Sequence, residues 1–177
     1  MTKSLPVRLQ KKPAKALKAS QAKWIKAVPS TGTHGSGTLQ KRLWRLVSDF
    51  VRIRDWHKYK TCVATGKIIE RWQDGQAGHF RPYSICRGIF KFDERNIFLQ
   101  NAKSNRWGGY DDWIAFEDEV VRRTSYDKDG MDRLNLAYEL KINDSMVIEK
   151  MRDIIQKMGE LKEQPEYYAR VLLLLEA

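Results

Sequence analysis

Only two cysteines, Cys62 and Cys86, occur in the 177 residues, too few for a disulfide framework and too few to close a structural zinc site alone. Apolar runs are equally scarce. The longest, Val171 to Leu175, falls far short of the ~20 residues a spanning helix needs, so the chain reads as no membrane protein. The basic N-terminus lacks the apolar stretch of about 7–15 residues found in secretory signals. A soluble protein of a reducing compartment is the expectation. The first quarter also lacks negative charge altogether: residues 1–48 contain no Asp or Glu, and Asp49 is the first carboxylate.

Eleven Lys or Arg fill that same stretch. Beyond it 22 basic residues face 22 acidic ones, so the whole formal charge of +11 sits at one end. A basic arm on a neutral body is the footprint of a polyanion binder, whereas an evenly solvated surface would spread its charges. Lys11, Lys12, Lys15, Lys18, Lys23 and Lys26 are the arm's candidate polyanion contacts. A solubilising tail or an import signal is the plainer reading of the same residues. Six Trp, seven Tyr and six Phe, with 42% hydrophobic residues, supply a core and exclude wholesale disorder.

The chain divides into a flexible arm, 1–37, and a folded domain, 38–177. Three of the five prolines (Pro6, Pro13, Pro29) lie in the arm, where 14–27 can form a short basic helix. From Thr38, a candidate N-cap, the spacing of Leu39, Leu43, Leu46, Phe50 and Ile53 predicts a long helix over 38–60. Strand-like segments follow at 67–72, 76–81 and 96–100, with turns at Asp74-Gly75 and Arg87-Gly88. Helices are expected through 111–177. Asp111 or Asp112 caps one with a face of Trp113, Phe116, Val120 and Val121. Gly130 precedes another around 131–140. Asn143, Asp144 or Ser145 starts a long one carrying Met146, Ile148, Met151, Ile155 and Met158, and Pro165 opens the last. The class is α+β.

Chemistry concentrates in residues 74–110. His79 ends a predicted strand, Asn96 opens the next, and Asn105 follows in Lys103-Ser104-Asn105-Arg106. One imidazole, two carboxamides and the cations Arg81, Lys103 and Arg106 can supply a general base, a metal ligand and phosphate clamps. Each alone says little, since a lone His is usually structural and an Asn between charges usually caps or turns.

The order His, Asn, Asn across strand, loop, strand and helix resembles the HNH, or ββα-metal, nuclease motif. Gly78-His79-Phe80-Arg81-Pro82-Tyr83-Ser84 matches its His, Pro and Ser, and Asn96 to Asn105 matches its second spacing. More specifically, the chain is similar to the NinG (Rap) recombination family of lambda-like phages. That likeness is carried by Val51 to Asp55, by Gln76 to Phe80 and by Phe92 to Ile97, with Gly109-Tyr110 fitting too. It spans about residues 40–160. The resemblance implies a small ββα-metal core over about 66–110, surrounded by helices. It implies a metal-dependent endonuclease acting on branched or recombination DNA, in the cytoplasm of a bacterial host and encoded by a phage or prophage. His79 would be the general base, Asn96 would pin the loop that orients it, and Asn105 would hold one Mg²⁺ or Mn²⁺ ion. The sequence leaves the oligomeric state open, a homodimer included.

Two departures from the family bear on that expectation. Its two Cys-x-x-Cys knuckles are replaced by Cys62-Val63-Ala64-Thr65 and Asn101-Ala102-Lys103-Ser104, so no structural zinc is expected; polar groups can hydrogen-bond across that gap instead. Cys86 reads as a buried small hydrophobe. Where many such nucleases carry a metal-binding side chain before the catalytic His, this chain has Gly78. Gln76, on the same strand face, can present an amide oxygen there, which predicts loose ion binding shared with the scissile phosphate. Asp74, Asp93 and Asp111 are further candidate contributors. The rival expectation is a catalytically silent DNA-binding or assembly factor that keeps the fold. A general or homing-type nuclease that cuts duplex DNA would differ only in substrate.

Overall fold

The apolar stripe from Leu39 to Ile53 becomes the buried face of helix α1 (Ser36–Tyr59) in a computed structural model that describes residues 36–107 and 110–161. Leu39, Leu43, Leu46, Val47, Phe50, Val51 and Ile53 are all buried, each contributing roughly 1.5–3 kcal/mol by leaving water. The helix begins at Ser36, so Thr38 lies inside its first turn and does not cap it. The expected arm helix at 14–27 and the last helix from Pro165 lie outside the described residues.

Two short strands follow, β1 (Gln76–His79) and β2 (Ile97–Gln100), paired antiparallel with Gln76 opposite Gln100 and His79 opposite Ile97. Pairing extends one residue further, Phe80 N–H donating to the Asn96 carbonyl at 2.8 Å. Pro82, which has no N–H, then excludes a longer strand. The third expected strand, 67–72, does not form. It contributes an isolated bridge between Thr61 and Ile68 and runs into a 3-10 turn at Trp72–Asp74. Ile68 is 72% exposed, so the segment has no continuous apolar face that pairing would cover.

Short 3-10 turns at Tyr83–Ile85 and Gly88–Phe92 link the strands. Beyond β2 come α2 (Ala102–Trp107), α3 (Tyr110–Thr124), α4 (Lys128–Leu136) and α5 (Asp144–Glu160). Asp111 and Asp112 fall within the first turn of α3, not at its cap, and Val121 is 39% exposed while Phe116 and Val120 are buried. Helix α4 begins before Gly130, because the Asp127 carboxylate caps it by accepting from the Gly130 N–H at 2.6 Å. Asn143 does the same for α5, accepting from the Met146 N–H at 2.9 Å. The protein is thus α+β, a two-stranded sheet among helices.

Helices α1 and α5 enclose one core with Ala77, Phe92 and Ile97. A second core gathers Cys62, Phe80, Phe90, Phe98, Phe116 and Met131. All four residues of β2 are buried, as expected of a strand covered on both faces. Polar ties fix how α1 meets this strand. The Arg54 guanidinium donates to the carbonyls of Glu94 (2.9 Å) and Ile97 (3.1 Å). Asp55, 2% exposed, accepts from the Leu99 N–H at 2.9 Å and from Arg54 Nε at 2.7 Å.

The turn into β2 is fastened just as firmly. Asp93 accepts from Arg95 and from the Tyr138 hydroxyl, the latter at 2.7 Å. Glu94 accepts from Lys150 at 2.7 Å and from Lys157, which ties α5 to the turn. Burial alone would raise both carboxylates, but hydrogen bonds and charges from these partners outweigh it and hold both below their ordinary range.

Two outcomes follow. Asp55→Ala leaves the Leu99 N–H without its acceptor and the buried Arg123 guanidinium without its Asp55 ion pair, and denaturant unfolding should show a loss of about 3–5 kcal/mol; a loss under about 1 kcal/mol would contradict the clasp. Asp93 and Glu94, depressed in the folded state, stabilise the fold above their unfolded values near ~4. That stability should disappear as pH falls further, which thermal melts between neutral and acid pH would reveal.

Candidate active site

His79 closes β1, and its surroundings settle which nitrogen can act. Its Nε2 lies 2.8 Å from the Lys91 carbonyl oxygen. A carbonyl only accepts, so Nε2 carries the hydrogen and Nδ1 keeps the lone pair of a neutral imidazole. The Trp44 indole of α1 stacks on the ring, centroids 5.1 Å apart and planes inclined by 11°. Tyr83 meets it edge-on at 5.6 Å. Burial lowers the imidazole's pKa from its ordinary value and outweighs the opposing effect of the Lys91 carbonyl. A neutral ring with one free lone pair is what a general base requires near pH 7.

Asn96 stabilises the chain just beyond His79. It is fully buried; its Oδ1 accepts from the Arg81 N–H at 2.7 Å and its Nδ2 donates to the Arg81 carbonyl at 3.2 Å. The same amide donates to Cys86 Sγ at 3.4 Å. Cys86 is itself 5% exposed, and burial pushes its thiol up to about 11, as befits a packed side chain.

Asn105 lies on the other side of the strand. Side chains alternate along β1: Ala77 and His79 face α1, while Gln76 and the bare Gly78 face α2. Asn105 Nδ2 donates to Gln76 Oε1 at 2.9 Å. A Cβ at Gly78 would lie 2.5 Å from both Asn105 Oδ1 and Gln100 Nε2, so the three amides Gln76, Gln100 and Asn105 converge over the glycine. The structure therefore joins Asn105 to Gln76 and joins His79 to Trp44, Tyr83 and Lys91, on opposite faces of one strand.

As cation ligands these amides are hard but neutral. Magnesium is ordinarily held through carboxylates and substrate phosphates, and no group of three or more His, Cys, Asp or Glu placed to hold a metal occurs among the described residues. Gln76 Oε1 and Asn105 Oδ1 fit a hydrated ion that arrives with a phosphate, not a tightly held resident one. Of the other acidic candidates, Asp74 pairs with Arg71 at 2.8 Å and Asp93 is consumed by Arg95 and Tyr138; the Asp111 side chain lies outside the described residues.

The expected cations divide as well. Arg81 Nε is paired with Asp132 at 2.7 Å and the side chain is 12% exposed, so its charge is already met. Lys103 and Arg106 are exposed on α2. The arm lysines Lys11, Lys12, Lys15, Lys18, Lys23 and Lys26 lie outside the described residues. Near Lys103 the segments 62–65 and 101–104 meet across a cleft of about 650 Å³. Cys62 Sγ lies 3.3 Å from Ser104 Oγ and accepts from the Asn101 N–H at 3.3 Å, and Asn101 Nδ2 donates to Thr65 Oγ1 at 3.1 Å. Burial raises the Cys62 thiol, but hydrogen bonds involving Ser104, Thr65 and Asn101 outweigh it and leave its pKa lowered.

Trp44, Lys91 and Gln100 were not foreseeable as neighbours of this site. Trp44 borders the apolar stripe of α1 like any core residue, and Lys91 acts through its backbone, which sequence does not mark. No family model, no curated protein and no solved structure matches the chain.

Asn96→Ala should lower stability by about 2–3 kcal/mol in denaturant unfolding, because two buried backbone groups of Arg81 lose their partner. A variant as stable as the parent would show that water or another side chain serves them equally well.

Proposed function

We propose that the protein is a metal-dependent endonuclease of the HNH type acting on branched or recombination DNA. The observation that carries this reading is the half-buried, neutral His79, its Nε2–H held by the Lys91 carbonyl and its Nδ1 lone pair left for a proton. The motif resemblance and the acid-free basic first quarter of the chain support the same reading.

In this mechanism Nδ1 of His79 takes the proton of a water that attacks the phosphodiester in line. Asn96 keeps the segment after His79 from drifting, through its two bonds to Arg81. Gln76 and Asn105 would hold a divalent ion, Mg²⁺ or Mn²⁺, which supplies charge stabilisation for the phosphoryl oxygens and the leaving 3′ oxygen. Because His79 and these amides face opposite sides of β1, a phosphodiester reached by both has to lie across the strand's edge away from β2. Lys103 and Arg106 would contact backbone phosphates without reading sequence.

The silent-binder reading is favoured by one observation: the atoms nearest Gly78 are neutral amides, and no group of three or more His, Cys, Asp or Glu placed to hold a metal occurs among the described residues. The two readings part on single substitutions. His79→Ala should reduce cleavage by about 10²–10⁴-fold while DNA affinity stays within error, since the imidazole is used only when water loses its proton. Asn105→Ala should likewise cut the rate without weakening binding. Cleavage by His79→Ala at the parental rate would sink this mechanism.

A further inference from the structure

The ring that stacks on His79 belongs to a helix whose neighbouring positions carry exposed positive charge. Residues three and four apart share one face of a helix, so Lys41, Trp44, Arg45 and Ser48 form one stripe on α1. Trp44 lies against His79, while Lys41 and Arg45 on either side of it are exposed. Neither is held by a carboxylate among the described residues. The next cation along the helix differs. Arg52 is paired with Asp49 and donates to the carbonyls of Ser48 (3.2 Å) and Gly75 (3.4 Å), so its charge is already engaged. Across the ring from α1, the Lys91 ammonium sits 4.9 Å above the half-exposed Tyr83.

We infer that Lys41 and Arg45, with Lys91 opposite them, form a phosphate-binding face that seats the nucleic-acid backbone beside His79. This inference rests on the nucleic-acid reading above and assigns where the folded domain grips its substrate. The ligand class is a phosphodiester backbone, recognised by charge and independently of sequence. Charge complementarity selects it: Lys41 and Arg45 flank on α1 the tryptophan that stacks on the imidazole, the Lys91 ammonium lies over Tyr83, whose ring meets the imidazole edge-on, and Arg81, the cation nearest His79 in sequence, is already paired with Asp132. The face also explains a layout that packing does not require, in which α1 turns two exposed cations to the side where its tryptophan meets the candidate base.

Fluorescence anisotropy on the full chain tests this. Lys41→Ala/Arg45→Ala is compared with the parent and with Lys128→Ala/Arg152→Ala, which removes the same charge from exposed positions on α4 and α5. Labelled duplex and four-way DNA are titrated over a range of salt. The first double variant should bind more weakly, with a salt slope shallower by about 1.8 on duplex, roughly 0.9 for each phosphate no longer neutralised; the second should keep the parental slope. All four side chains are exposed, so both variants should fold, which circular dichroism verifies. Equal effects of the two double variants would overturn the inference, because net charge alone would then explain binding. A parent chain that binds no DNA of either shape would overturn the nucleic-acid reading along with it.

Discussion

Four consecutive polar residues, Asp93 to Asn96, turn the chain into β2, and α1, α5, the end of β1 and the segment beyond α4 are fastened to that turn. Asp93 holds Arg95 and the hydroxyl of Tyr138 beyond α4. Glu94 holds two lysines of α5, and its carbonyl takes Arg54 of α1. Asn96 grips both backbone groups of Arg81, beyond the end of β1. Charged and amide groups are costly to bury unless each finds a partner, and here each finds one on a different element. One short turn thereby ties together both strands, α1 and α5.

The site inherits its geometry from this constraint. With β1 registered against β2 and sealed after Phe80, His79 is fixed against α1, where a carbonyl and an indole leave it one free nitrogen. The same pleat sends Gln76 and Asn105 to the opposite face. A two-residue alternation thus separates the proton-accepting group from the neutral oxygens, and the account depends on a substrate that bridges them. The exposed cations Lys41 and Arg45 of α1 flank the tryptophan on the imidazole's side of that division, and on the proposed reading α1 would serve both as a core helix and as a surface for the substrate.

Much of this was legible in the residues. The stripe of α1, the start of β1, the end of β2, the cap of α5 and the His79–Asn96–Asn105 spacing can all be read from period and residue type. What stayed hidden depends on contacts remote in sequence. The segment 67–72 has strand-forming residues but buries too little to pair. Gly130 looked like a boundary because its role as the N–H partner of Asp127 requires the turn before it. The ion pair of Arg81 with Asp132 of α4 joins residues remote in sequence. The tautomer of His79 depends on a backbone carbonyl at Lys91, and residue identity says nothing about that.

The central claim is that a neutral His79 serves hydrolysis of DNA with a divalent ion. The most direct measurement is cleavage by the full chain of matched linear, nicked and four-way DNA in Mg²⁺, in Mn²⁺ and in EDTA. The account predicts strand scission of the branched substrate with either ion and none in EDTA. Firm binding without scission under any of these ions would contradict it and leave a DNA-binding factor that keeps the fold without the chemistry.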